Sequence, residues 1–183
     1  MMILDIVQLG DPILRRKAHK ISKVDNEIRI LANDMLETMR DSFGVGLAAP
    51  QIGESIRLIV VENYEDEATE GAEKKVYKLI NPEIVWRSEE TVIAEEGCLS
   101  IKGLVGQVER AKSIRIKALS IYGRPINLSA SGWLARIFQH EIDHLDGICY
   151  VDRATEVRQI NQEETEVEEA APSDKNNESK TTV

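Results

Sequence analysis

Residues 138–147 read "FQHEIDHLDG", two histidines four positions apart with a glutamate beside the first. The spacing around them decides what they sit on. Leu134, Ile137, Phe138, Ile142 and Leu145 recur at helical intervals, Ser129 or Ser131 can act as the N-cap, and Gly147 ends the pattern. On a helix turning about 100° per residue, His140 and His144 stand about 40° apart around the axis and roughly 6 Å apart along it. They can grip one ion together. Glu141 is too oblique to be an obvious further ligand but close enough to reach a water on that ion, which is where a general base belongs. Read alone, the pattern fits a solvated polar face equally well. Asp143 and Asp146 read as solvated charges, Gln139 carries no assignment, and His19 in "RRKAHK" reads as a surface residue.

Working outward, "DNEIRILANDMLETMRDSFG" from Asp25 predicts a first amphipathic helix, with Ile28, Leu31, Met35, Leu36 and Met39 on one face. Asp25 is its N-cap, and Gly44 lies beyond its end. After the small-residue loop "VGLAAPQIG", the branched run in "SIRLIVVEN" predicts a buried strand. Further strands fit "VYKLINP", "EETVIAEE", "GQVER" and "SIRIKAL", and a turn at Tyr122–Pro125 leads into "PINLSA". The acidic "YEDEATEGAEKK" predicts an exposed loop. A helix, many short strands and a helix give an α+β order with antiparallel or mixed sheets packed around the histidine-bearing helix. Past Ile160 large apolar residues thin out, predicting a frayed helix and then a disordered acidic tail. The domain expected to carry the function spans 1–153, with 154–183 as the tail.

Composition narrows the class. The chain has 183 residues, 42% hydrophobic and 30% charged, which predicts one soluble globular domain. No apolar run approaches the roughly 20 residues of a membrane helix, and the amino terminus lacks signal-peptide features, so the expected location is the cytoplasm. A net charge of -9 argues against DNA as a partner, since phosphate binding needs a concentrated basic face. Cys98 and Cys149 make no disulfide framework.

A catalytic site of the zinc type takes three protein ligands and keeps one position open. The longer protease signature with a third histidine fails here, because Tyr150 stands at that position despite the matching Gly147. Glu163 and Glu164 lie at the distance of a thermolysin-type third ligand, but within a run so acidic that a glutamate is expected there by composition. Cys149 reads as core packing. Cys98, in "AEEGCLS", remains as a candidate ligand, a buried small hydrophobe or a lone nucleophile.

Three stretches taken together, "GVGLAAPQ" (44–51), "EEGCLS" (95–100) and "QHEIDH" (139–144), resemble in order the three signature motifs of bacterial peptide deformylases, and "DPILRRKA" resembles that family's amino-terminal segment. The resemblance covers residues 1 to about 153. It implies a metal-dependent hydrolase that removes the formyl group from N-formylmethionine of nascent chains and releases formate. By position it implies Cys98, His140 and His144 as metal ligands and Glu141 as the catalytic acid–base. Gln51 and the Leu99 N–H are implied to hold the oxyanion, and Gly46 to pair with the peptide backbone. Val45 and Glu96 fall near the pocket for the substrate side chain. Ile137 and Trp133, three and seven residues before His140, lie on the helix side near the metal and are further substrate-contact candidates beside a core-packing role.

Two imidazoles and a thiolate suit zinc (Zn2+), and iron, cobalt (Co2+) and nickel (Ni2+) also accept imidazole. The resemblance favours iron (Fe2+) in cells. The chain departs from the family at Lys102, where proline is expected, and in its acidic tail. RNA phosphate would repel that tail, so ribosome association is left open rather than carried over. Two other classes compete: a metallopeptidase using Glu163 or Glu164, and a binding module with a closed metal site.

Overall fold

In the computed structural model, which describes residues 2–64 and 74–160, two helices and eight strands form two antiparallel sheets. Helix α1 spans Asn26–Asp41. The Asp25 side chain accepts a hydrogen bond from the Ile28 N–H at 3.2 Å, the expected cap. Past the helix end, Phe43 rather than a glycine takes the left-handed conformation, at φ 54°, and Gly44 follows. A non-glycine there costs about 1–2 kcal/mol.

The five-stranded sheet runs in the order β1 (Gly46–Ala48), β2 (Leu58–Tyr64), β3 (Lys74–Arg87), β6 (Ser113–Leu119) and β7 (Pro125–Ser131). The three-stranded sheet runs β4 (Thr91–Cys98), β5 (Ile101–Ala111), β8 (Glu156–Gln159). Strand β2 shows why its run is continuously apolar. Ile59 and Val61 pack toward Leu134 and Phe138, whereas Leu58 and Val60 pack toward Met35 and Met39 on the other face. Burying each such side chain contributes roughly 1.5–3 kcal/mol.

Helix α2 (Gly132–Leu145) touches β1, β2, β3, β6 and β7 of one sheet and β5 of the other. Every residue from Leu134 to Leu145 is buried. The expected apolar stripe is real, with Tyr77 meeting Phe138 edge-on at 5.2 Å between ring centres. The remaining faces are buried too, and they hold the polar residues. The expected serine cap differs: Ser131 occupies the N-cap without a side-chain bond, and Ser129 lies in β7. The helix closes at Gly147, where φ is 77° and a Cβ would stand 2.7 Å from the Arg15 carbonyl oxygen, so glycine is required twice over.

Beyond residue 153 the chain does not leave the domain. Strand β8 pairs with β5, from Leu104↔Gln159 to Gln107↔Glu156. The acidic loop, but for its ends in β2 and β3, and the tail past Ile160, including Glu163 and Glu164, lie outside the described residues. Among the described residues no helix is long and apolar enough to cross a membrane.

Candidate metal centre and active site

Strand β4 delivers Cys98 to α2. The register between β4 and β5 shifts between Glu96 and Cys98, so that Cys98 pairs with Ile101 across a tight turn of Leu99 and Ser100. Such an irregularity re-aims a side chain. Cys98 Sγ lies 3.3 Å from His144 Nε2, and the candidate ligand atoms of Cys98, His140 and His144 all lie within 4.8 Å of one another. His140 Nδ1 lies 2.9 Å from Glu96 Oε2, a contact that fixes the ring and leaves Nε2 for the cluster.

The residues fit a divalent transition-metal ion. A soft thiol from β4 and two imidazoles from α2 converge, while among the described residues Glu141 Oε2 and His144 Nδ1 are buried without a hydrogen-bond partner. A buried carboxylate with no partner is costly unless a cation compensates it. Burial lowers the pKa of His144 well below its ordinary value. Burial also opposes protonation of His140, but hydrogen bonds with Cys98 and Glu96 raise its pKa to about 10, so proton and cation compete for that ring. Burial pushes Glu141 up to about 7, poised to take or give a proton near neutrality.

Gly46 explains where Glu141 sits. A Cβ at that glycine would stand 2.4 Å from Glu141 Oε1, so the carboxylate rests in the space that a side chain on β1 would fill. Gln51 lies in a short 3₁₀ turn, Ala49–Ile52. Its Oε1 accepts the Ala48 N–H at 2.8 Å, which turns Nε2 toward Ser100 Oγ at 3.2 Å and Cys98 Sγ at 3.4 Å. Sequence reasoning missed Ser100, which is fully buried. Its signal was a small polar residue two positions after the cysteine in the same motif.

Leu99 is half-buried at the turn, and its carbonyl accepts from Gln8 Nε2 at 3.2 Å. Val45 and Trp133 are each 40% exposed, whereas Ile137 is buried in the core between sheet and helix. Glu96 is buried. Its carboxylate is 3% exposed and takes Arg110 Nε and Nη2 at 2.9 Å each, Arg136 Nη1 at 2.7 Å, and His140. Burial alone would raise its pKa, yet these bonds, with His140 and Arg110, hold it down at about 2.

Asp143 corrects the sequence reading most directly. It is buried, not solvated, and accepts from Arg110 and, at 2.6 and 2.7 Å, from Arg153. Asp146 pairs with Arg57 at 2.8 Å. Gln139 bridges to Ala111, accepting its N–H at 3.2 Å and donating to its carbonyl at 2.9 Å. His19 is exposed, and Cys149 is wholly buried, as expected.

The family model for polypeptide deformylase matches residues 3–160. A peptide deformylase of Thermomicrobium roseum is 48% identical over 174 residues, covering 93% of this chain and 98% of that one. A peptide deformylase of Symbiobacterium thermophilum is 48% identical over 170 residues, covering 93% of this chain and 75% of the relative. Among solved structures, the Thermotoga maritima peptide deformylase superimposes with a TM-score of 0.77 at 38% identity, covering 85% of this chain and all of the other. The Thermus thermophilus enzyme gives 0.75 at 48% identity, covering 83% and 86%. Cys98, His140 and His144 thus form a group able to hold a metal, and the chain belongs to the polypeptide deformylase family, metal-dependent hydrolases that remove the formyl group from N-formylmethionyl peptides.

Proposed function

We propose that Cys98 Sγ and the Nε2 atoms of His140 and His144 hold one divalent cation, and that this deformylase uses it to free formate from the N-formylmethionine of nascent chains. The observation that carries the assignment is the meeting of those three donors within 4.8 Å, beside a buried glutamate. Once bound, the ion supplies Lewis acidity, making water acidic enough to yield a nucleophile near neutral pH.

The protein's own groups do the rest. Glu141 takes the proton released from the attacking water and returns it to the departing amine; a pKa near 7 suits both halves of that task. As the formyl oxygen gains charge, Gln51 Nε2 and the Leu99 N–H donate to it. The Ala48 bond that fixes the Gln51 amide supports this role, because a donor already oriented needs no reorganisation. Ser100 steadies the same amide. Gly46 in β1 lets an extended peptide approach, and the half-exposed Val45 and Trp133 flank it as substrate contacts. Ile137 and Glu96 act from within: the first packs α2 onto the core, and the second holds His140.

Fe2+ is the proposed ion in cells, with Zn2+, Ni2+ and Co2+ as competent substitutes, since imidazole accepts all four. We infer a cytoplasmic enzyme with neither DNA nor a membrane among its partners. The family match and β8 support a catalytic domain reaching residue 160. Formate release from a formyl-Met peptide, by protein loaded anaerobically with iron(II) or nickel(II), tests the proposal. Glu141→Ala should retain the metal and lose turnover, and a wild-type chain that binds no ion refutes the ligand set.

A further inference from the structure

Among the described residues the side chains of Asp143 and Arg153 bond to none of the proposed ligands, yet they end an unbroken ionic chain that starts on one of them. His140 Nδ1 meets Glu96 Oε2, and Glu96 takes both Nε and Nη2 of Arg110 at 2.9 Å. Arg110 Nη1 then donates to Asp143 Oδ2, and Asp143 takes Arg153 Nε and Nη2 at 2.6 and 2.7 Å. The first and last guanidinium contacts are two-pronged, so they fix angle as well as distance. The side chains of Glu96, Arg110 and Asp143 are 3%, 4% and 11% exposed, and only Arg153, at 42%, reaches solvent. There it lines a cleft of about 360 Å³ with Arg87, Thr91 and Glu109.

Charge shows why the outer end matters. Glu96 is shared by Arg110, Arg136 and His140, so two guanidinium groups compete for one carboxylate that must also hold the imidazole. Asp143 gives Arg110 a second acceptor on the side away from Glu96. Without it, a buried guanidinium N–H loses its partner and Arg110 is free to shift. Arg153 in turn fixes the Asp143 carboxylate, which α2 alone does not orient.

We propose that Asp143 and Arg153 are positioning residues for the metal centre: their clamp sets Arg110 and hence Glu96, so that Glu96 accepts the Nδ1–H of His140 and Nε2 faces the cation. This rests on the ligand set proposed above. A purely structural role is the competing account, in which Arg153 only staples the 3₁₀ turn Tyr150–Asp152 to α2.

The test uses the full chain loaded with cobalt(II), reading the visible ligand-field absorption and the rate of cobalt loss to excess chelator, with kcat and KM alongside. Outer partners of metal-binding histidines typically change affinity by about 10- to 100-fold, so Arg153→Met should lose cobalt about 10-fold faster. Its absorption should shift, and kcat should fall with KM unchanged. Arg153→Lys, which keeps the charge but not the fork, should recover part of the loss. Asp143→Asn should exceed Arg153→Met, and the double variant should be no worse than Asp143→Asn, because both act through Arg110. If Asp143→Asn does not fold, the half-exposed Arg153 still decides. A lowered melting temperature in Arg153→Met, with wild-type cobalt loss and absorption, overturns the proposal. A wild-type chain that takes up no cobalt overturns the ligand set itself.

Discussion

Replacing Gly46 by alanine tests whether the glycine serves the general base or only the peptide. The added Cβ would stand 2.4 Å from Glu141 Oε1, 2.8 Å from Cδ and 2.9 Å from Cγ, where ordinary contact begins at 3.4 Å. The carboxylate must therefore withdraw by about 1 Å, from a site where Glu141 is only 4% exposed. A displacement of that size at a reacting group costs about 100-fold in rate. That loss equals roughly 2.7 kcal/mol on the barrier, and the overpacking itself costs about 1–3 kcal/mol of stability. Steady-state assays of formyl-Met peptide cleavage should show the fall in kcat, with bound metal unchanged because Glu141 is not a ligand. Alanine keeps the N–H and C=O that an extended peptide would use. Wild-type kcat with a raised KM would therefore refute the reasoning and leave Gly46 as a substrate-binding residue alone.

Gln51→Leu removes one proposed oxyanion donor, so kcat should drop by about 10²–10³-fold at nearly constant KM. Its measure is the same assay, with metal content as control. Deleting everything after Ile160 should leave ion and turnover intact; loss of the ion on chelator-free dialysis would point instead to Glu163 or Glu164 as a ligand. Arg40, hydrogen-bonded to Glu62 at 2.6 and 3.0 Å, holds that carboxyl below its ordinary 4.5. A depressed carboxylate stabilises the fold above its unfolded pKa and loses the contribution as pH falls through the folded one. The melting temperature of Arg40→Met should therefore lie below wild type at pH 6, and the two should converge as the pH falls through the lowered pKa of Glu62.

Sequence pattern carried the local structure well, because helical and strand periods follow from which face a residue must bury. The run Leu58–Val61 announced a strand buried on both sides, and the histidine spacing announced a helix that could hold an ion. It said little about polar residues on α2. Asp143 looks like a solvated charge because carboxylates are usually exposed, and nothing nearby in the chain shows that Arg110 and Arg153 surround it. Family position put Glu96 near a substrate pocket, but that its carboxylate meets His140, Arg110 and Arg136 was not legible in the sequence. The roles of Ser100 and of Gly46 beside Glu141 were missed for the same reason: each depends on an atom from a distant segment.

What the sequence carried by itself is the family and the set of candidate groups: a thiol, two imidazoles, a carboxylate and an amide in three ordered motifs that resemble those of peptide deformylases. Only the tertiary structure decided how they meet. The register shift in β4, the burial of α2 on every face and the room left by Gly46 set distances between residues more than 40 positions apart. Such distances arise from packing two sheets around one helix, a property of the whole core that no local stretch encodes.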